Sequence, residues 1–220
     1  MGEEKMKPAG LFSAIALVAA MMCAGAPADA ADVANVVSNW AKIDAPTPPP
    51  ALQPVTVDPK TTALLVLDFT HQICNEKGKP RCVASLPTVE KLLGEARDNH
   101  VLVVFSTAGP MTPKDIWAQV APKPGEPVVN SHANKFQDTD LEKILKDKGI
   151  KTVIVTGVNA NGAVLYTASA AAFRGFKVID PIDCSSAENQ YIEQYVVYNF
   201  AHAPLVSTMV TLTTASMIKF

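Results

Sequence analysis

Short, mostly apolar runs that alternate with helical patterns constrain the fold of this chain most strongly. The runs lie at residues 63–67, 101–105, 152–156 and 176–179, and 206–212 is a candidate for a last one. The first, Ala-Leu-Leu-Val-Leu, shows no polar alternation, as expected of a strand covered on both faces. Helical patterns fill the intervals at residues 87–99, 140–148, 162–174 and 186–202. The alternation predicts an α/β fold, a three-layer α/β/α sandwich with a mostly parallel, Rossmann-like central sheet.

The size and charge of the chain narrow the choice of function. Its 220 residues suffice for one well-packed domain. The formal net charge is -2 and no cluster of Lys and Arg is visible, so the sequence predicts no nucleic-acid partner. Beyond residue 30, no apolar run approaches the ~18 residues that a membrane span needs, so no membrane partner is expected after removal of the N-terminal segment.

The N-terminal segment has the pattern of a secretory signal peptide. A short basic region that begins at Met6-Lys7 precedes the apolar run 11–22, and Ala28-Asp29-Ala30 supplies a cleavage site with small residues. We predict a signal peptide over residues 1–30 and a periplasmic or secreted protein. A membrane-anchoring helix would need a longer run, and a lipid anchor on Cys23 matches its motif poorly.

Residues 31–60 are rich in proline and differ in composition from the rest of the chain. Such a segment favours extended backbone and is interpreted as an arm that lies over the domain or reaches toward a partner subunit. The globular domain is then predicted over residues 61–220.

Three cysteines remain after the predicted cleavage site. In an oxidising compartment, Cys74 and Cys82 could close the small loop between them, so we predict a disulfide there. A zinc site is disfavoured, because no second Cys/His pair lies at ligand spacing. Cys184 is left over, either as a partly buried free thiol without a catalytic role or as a group whose role the sequence does not define.

Two strand ends carry candidate functional groups, because ligands of open α/β sheets bind beyond the carboxyl ends of strands. Asp68 ends the first strand, where desolvation would raise its pKa and suit it to acid or base chemistry, although it could instead cap the next turn. After Gly157, the backbone amides near Asn159, Gly162 and Ala163 would lie at a helix start that stabilises an anion.

Several motifs, in this order and spacing, resemble the isochorismatase-like (cysteine hydrolase) superfamily. They cover about residues 61–202, and the combination is more specific than any one of them. The matching segments are Leu65-Val66-Leu67-Asp68, then Phe136 with Thr139 and Leu141, then Gly157-Val158 with Thr167-Ala168, and finally residues 174–178. The resemblance implies a hydrolase of small molecules with a homo-oligomeric assembly, since relatives are commonly dimers or tetramers.

The resemblance also exposes two departures from the family's catalytic residues. Its nucleophilic cysteine falls on Ala163, whose methyl group cannot attack a carbonyl. Its lysine, about six residues before the Phe, falls on Asn130, and Lys135 is the alternative at a different offset. On this alignment Asp68 stands without a neighbouring cation, holds its proton to higher pH and acts as a general acid. Isochorismatases proper set the precedent, since they also lack the cysteine.

Other polar side chains of the same loops are candidates for binding substrate. They are His71, Asn130, His132, Asn161, Gly162 and Tyr166. The region after the second strand has no His, so we predict no metal, and nothing in the sequence implies another cofactor.

The sequence leaves more than one function open. The first is an exported hydrolase of a small molecule that uses Asp68 as general acid or base without a cysteine nucleophile. The alternative is a catalytically degenerate family member that binds a small molecule. A third, an interaction module that uses the Pro-rich arm, has the least support in the sequence.

Overall fold

The computed structural model describes residues 1–2 and 48–220 of the chain. The predicted signal peptide and residues 31–47 of the predicted arm therefore lie outside the described residues, apart from the first two. Among residues 1–2 and 48–220, none of the helices combines the length and the hydrophobicity that a membrane span requires.

A parallel sheet forms the centre of the domain, as the apolar runs predict. Its main strands are β2 (Thr62–Leu67), β3 (Leu102–Thr107), β4 (Val128–Asn130), β5 (Thr152–Val158), β6 (Lys177–Pro181) and β8 (Val210–Thr213), in the spatial order β4-β3-β2-β5-β6-β8. The two-residue β7 (Ser185–Ser186) extends the pairing of β5, and β1 (Val55–Thr56) pairs separately with β9 (Ile218–Lys219). Every one of these strand pairs is parallel.

Helices cover both faces of the sheet and bury alternate residues of each strand. Helix α1 (Pro80–Asp98) lies on one face, against a cluster that includes Leu64 and Val66. On the other face, the cluster that contains Ala63, Leu65 and Leu67 packs against four helices. These are α2 (Leu141–Asp147), α3 (Leu165–Phe173), α4 (Gln190–His202) and α5 (Val206–Met209). Burial on both faces explains the unbroken apolar run of β2. The predicted α/β/α sandwich is confirmed.

Some boundaries differ from the predictions for local reasons. The predicted helix 87–99 begins earlier, because Pro80 occupies a first-turn position where a proline is tolerated, and Pro87 then lies inside the helix. The candidate strand 206–212 divides into α5 and β8. Strand β4 was not predicted, because a three-residue edge strand is too short to show a strand pattern in the sequence.

The predicted disulfide between Cys74 and Cys82 is present, with 5.4 Å between the Cα atoms. It closes the segment that connects β2 to α1. Cys184 is a buried free thiol, and burial raises its pKa. A thiol held neutral in this way is a poor nucleophile.

Candidate active site

Asp68 lies directly beyond the carboxyl end of β2 and is almost completely buried, with 4% of its surface exposed. Its backbone is left-handed, with φ 59°, a conformation that Asp tolerates better than most residues. The Asp68 amide donates to the Ser106 carbonyl at 3.2 Å, and its own carbonyl accepts from the Thr70 amide at 2.7 Å. These bonds hold the residue at the point where the chain leaves the sheet.

Lys135 forms a buried ion pair with Asp68, with 2.7 Å between Nζ and Oδ2. Its side chain is fully buried, and Nζ also donates to the carbonyls of Ser131 at 3.0 Å and Thr107 at 3.4 Å. Three acceptors match the three hydrogens of an ammonium group. The arrangement therefore holds Lys135 as a cation beside the carboxyl group.

This pair corrects the expectation that Asp68 has no neighbouring cation. The alignment placed the lysine at Asn130, whereas the cation comes from Lys135. The segment before α2 is a series of turns, in which Gln137 donates to the Asn134 carbonyl and Asp138 has φ 56°. In such a segment, counting residues back from Phe136 does not give the direction of a side chain.

Asn130 has a different place in the site. Its Nδ2 donates to Thr107 Oγ1 at 2.9 Å and to the carbonyls of Gly109 at 3.2 Å and Met111 at 3.0 Å. The side chain thus holds the loop that follows β3. A role in substrate binding stays a prediction.

Burial and the neighbouring Lys135 charge shift the pKa of Asp68 in opposite directions. Burial raises the pKa of its carboxyl group above the ordinary value, against the effect of the Lys135 cation and of the Ser106 hydroxyl. Burial likewise lowers the pKa of Lys135, against the effect of the Asp68 charge. A carboxyl group with a raised pKa is suited to deliver a proton.

Ala163 lies on a π-helical turn, Ala160–Val164, that joins β5 to α3. It is 4% exposed. The turn is closed by the amides of Gly162 and Val164, which donate to the Asn159 carbonyl at 2.9 and 3.3 Å. The peptide bond between Val158 and Asn159 is cis. Asn159 Oδ1 is buried and finds no hydrogen-bond donor in the described part of the chain.

Gly157 brings the end of β5 close to the end of β2, next to Asp68. A Cβ atom added to Gly157 would lie 2.7 Å from both Cβ and the carbonyl oxygen of Leu67, the residue that precedes Asp68, and φ is +156°. Only glycine permits so close an approach of β5 to β2. The Gly157-Val158 motif is therefore explained by contact between the two strands that end at the site.

The remaining predicted binding residues are on the surface. His132, Asn161 and Tyr166 are exposed, and Gly162 is partly buried. His71 is also exposed, and its ring lies 4.3 Å from that of Trp117, centroid to centroid. No hydrogen bond joins any of the five to Asp68 or Lys135 within the described residues, and their roles remain predictions.

Sequence reasoning missed the residues that stabilise the edge of the site. Trp117 donates from its backbone to the Phe69 carbonyl at 3.0 Å and from Nε1 to the Cys74 carbonyl at 2.7 Å. Thr70 Oγ1 donates to Met111 Sδ at 3.0 Å. These contacts link the segment after Asp68 to the loop after β3, and no local pattern in the sequence signals them.

Across residues 1–2 and 48–220, no three His, Cys, Asp or Glu side chains cluster as metal ligands would.

Curated proteins similar to this chain include hydrolases and a secreted protein. The secreted isochorismatase effector Isc1 of Verticillium dahliae is 30% identical over 138 residues, which cover 57% of this chain and 73% of that protein. Maleamate amidohydrolase of Pseudomonas putida is 27% identical over 150 residues, covering 56% and 70% of the two chains. N-carbamoylsarcosine amidase of Arthrobacter sp. is 35% identical over 88 residues, but these cover only 38% of this chain and 33% of that enzyme.

Solved structures show the same fold. An isochorismatase-like hydrolase from Alkaliphilus metalliredigens has a TM-score of 0.64 at 24% identity, over 71% of this chain and 95% of that one. A cysteine hydrolase from Pseudomonas syringae pv. phaseolicola has a TM-score of 0.66 at 19% identity, over 76% and 94% of the two chains. The isochorismatase domain family itself matches residues 62–214. With the sheet, the buried acid and the family match in agreement, this chain belongs to the isochorismatase domain family.

Proposed function

We propose that this protein hydrolyses the vinyl ether bond of a small molecule of the isochorismate type, with Asp68 as the general acid. One observation carries the proposal: a buried Asp68–Lys135 ion pair is retained at a site whose expected nucleophile position holds the methyl group of Ala163. A thioester cannot form at a methyl group, so amide hydrolysis by the usual covalent route is disfavoured. The chemistry left to the site is proton transfer.

The reaction follows from the two charged groups. Asp68 donates its proton to the terminal carbon of the vinyl ether, and the cation that forms is stabilised by the ether oxygen. Water adds to the cationic carbon and returns one proton to the Asp68 carboxylate. The resulting hemiketal breaks its carbon–oxygen bond to give a ketone and an alcohol.

Lys135 stabilises the carboxylate that exists between the two proton transfers, since its ammonium group lies 2.7 Å from Oδ2. Burial supports the other half of the cycle, because it raises the pKa of Asp68 and so favours the acid form that must donate. Burial and the Lys135 cation thus favour opposite protonation states of Asp68, and general acid catalysis uses both of them.

The direct test is turnover of isochorismate, followed by release of the α-keto acid product. Asp68→Asn is expected to abolish turnover, and Lys135→Met to reduce it by about 100-fold, the effect of losing one group that stabilises charge. Thr156→Val serves as the matched control, because Thr156 is buried in β5 and its hydroxyl donates to the Leu65 carbonyl rather than to Asp68. Full turnover by the Asp68→Asn variant would contradict the mechanism.

A small-molecule binding protein without catalytic activity is the second candidate, and the methyl group of Ala163 is the observation that favours it. A panel of vinyl ethers, cyclic amides and ureides separates the two. Turnover supports the hydrolase, whereas thermal stabilisation by a compound that is not consumed supports the binding protein.

Export and oligomeric assembly are further parts of this proposal. The Cys74–Cys82 disulfide suits an oxidising compartment, and a secreted relative supports export to the periplasm or the medium. Large side chains exposed on α3 and α4, among them Phe173 and Tyr191, fit a homo-oligomer. Mass spectrometry of the mature N-terminus tests the first point, and light scattering tests the second.

A further inference from the structure

Ser106 contacts Asp68 at two places. It is the next-to-last residue of β3 and pairs in register with Leu67, the residue before Asp68. Its carbonyl accepts from the Asp68 amide at 3.2 Å, and its hydroxyl donates to Asp68 Oδ1 at 2.7 Å. The side chain of Ser106 is completely buried. Both contacts are therefore shielded from water.

The two oxygens of Asp68 have different partners. Oδ2 accepts from the Lys135 ammonium group and Oδ1 from the Ser106 hydroxyl. The cation holds negative charge on Oδ2, so the proton of the neutral acid is placed on Oδ1. Ser106 consequently touches the oxygen from which a proton would leave.

We propose that Ser106 is a positioning residue, which holds Asp68 in its left-handed conformation and stabilises the carboxylate that remains after Oδ1 has released its proton. This inference deepens the proposed function and rests on it. The carbonyl of Ser106 fixes the backbone of Asp68, and this contact survives any change of side chain. The hydrogen bond from the Ser106 hydroxyl to Oδ1, in contrast, is lost when the side chain is replaced by one without a hydroxyl group.

The hydroxyl has a predictable effect on acidity. A hydrogen bond to a charged carboxylate is stronger than one to the neutral acid, so Ser106 favours the ionised form of Asp68 and lowers its pKa against the effect of burial. Removing the hydroxyl leaves Oδ1 without this donor in a buried site. The acid then holds its proton to higher pH.

The experiment compares Ser106→Ala with Thr156→Val in the full-length mature protein. Both remove one buried hydroxyl from neighbouring parts of the same sheet, but only the first removes a contact to Asp68. The carboxyl carbons of aspartate are labelled with 13C, Asp68 is assigned by loss of its signal in Asp68→Asn, and its titration is followed by NMR. The pH dependence of kcat/KM on isochorismate is measured in parallel.

In Ser106→Ala, the titration midpoint of Asp68 is expected to rise by about one pH unit, the effect of losing one hydrogen bond to a charged group. The descending limb of kcat/KM should move by the same amount, and Thr156→Val should change neither. An unchanged midpoint in Ser106→Ala, or equal shifts in both variants, would overturn the proposal. If wild type shows no turnover, the proposed function fails, and the NMR titration still decides the role of Ser106.

Discussion

Asp180 gives the most direct quantitative test of the electrostatics of this fold. It lies in β6, is 1% exposed, and its carboxyl group has the Ser185 hydroxyl at 3.5 Å as its side-chain partner. Burial, helped by the nearby charge of Asp183, raises the pKa of Asp180 to about 7. The protein therefore contains a second buried acid, outside the proposed reaction.

The sign of the effect follows from the raised pKa. Below pH ~4, Asp180 is protonated in both the folded and unfolded states, so its ionisation does not change the free energy of unfolding. Between pH ~4 and ~7, only the unfolded state ionises, so the free energy of unfolding falls by about 1.4 kcal/mol for each pH unit. Above pH ~7, the folded protein carries a buried charge at a total cost of about 4 kcal/mol.

Asp180→Asn removes this titration and keeps a side chain of similar shape. The stability of the variant relative to wild type should rise between pH 4 and 7 by about 4 kcal/mol and then stay constant. Urea unfolding at half-unit pH intervals measures the difference, with Asp98→Asn, an exposed position at the end of α1, as control. Parallel stability curves for wild type and Asp180→Asn would refute the reasoning.

Three further predictions concern the site and the disulfide next to it. Lys135→Met should lower the free energy of unfolding, measured with urea, by about 3–5 kcal/mol, because it leaves the Asp68 charge buried without a partner. The double variant with Asp68→Asn should regain part of this stability, because it removes the unpartnered charge as well. Because the acid form of Asp68 donates, kcat/KM should fall as pH rises through its raised pKa, and a flat profile would contradict this. Replacing Cys74 and Cys82 by Ala should cost about 2–3 kcal/mol in the same unfolding assay, whereas no loss would mean that the disulfide does not constrain the unfolded chain.

The strands of this protein could be predicted from local sequence. An unbroken apolar run such as residues 63–67 has no polar residue to place toward water, so it must be covered on both faces. Its position before Asp68 also places that carboxyl group at the carboxyl edge of a parallel sheet. The Cys74–Cys82 disulfide was similarly accessible, since eight residues of separation bring the two side chains together in a small loop.

The partner of Asp68 could not be predicted in the same way. Lys135 and Asn130 are separated by five positions in a segment of turns, and nothing local decides which one points inward. The tertiary structure decides it: the three carbonyl and carboxylate oxygens around Lys135 Nζ come from three different segments, β2–α1, β3 and the turn after β4. The sequence by itself therefore determined the sheet and the acid at its edge, because both depend on local burial patterns. Only the fold determined the cation and the Ser106 hydroxyl, because a buried charge is stabilised by groups that are distant in sequence.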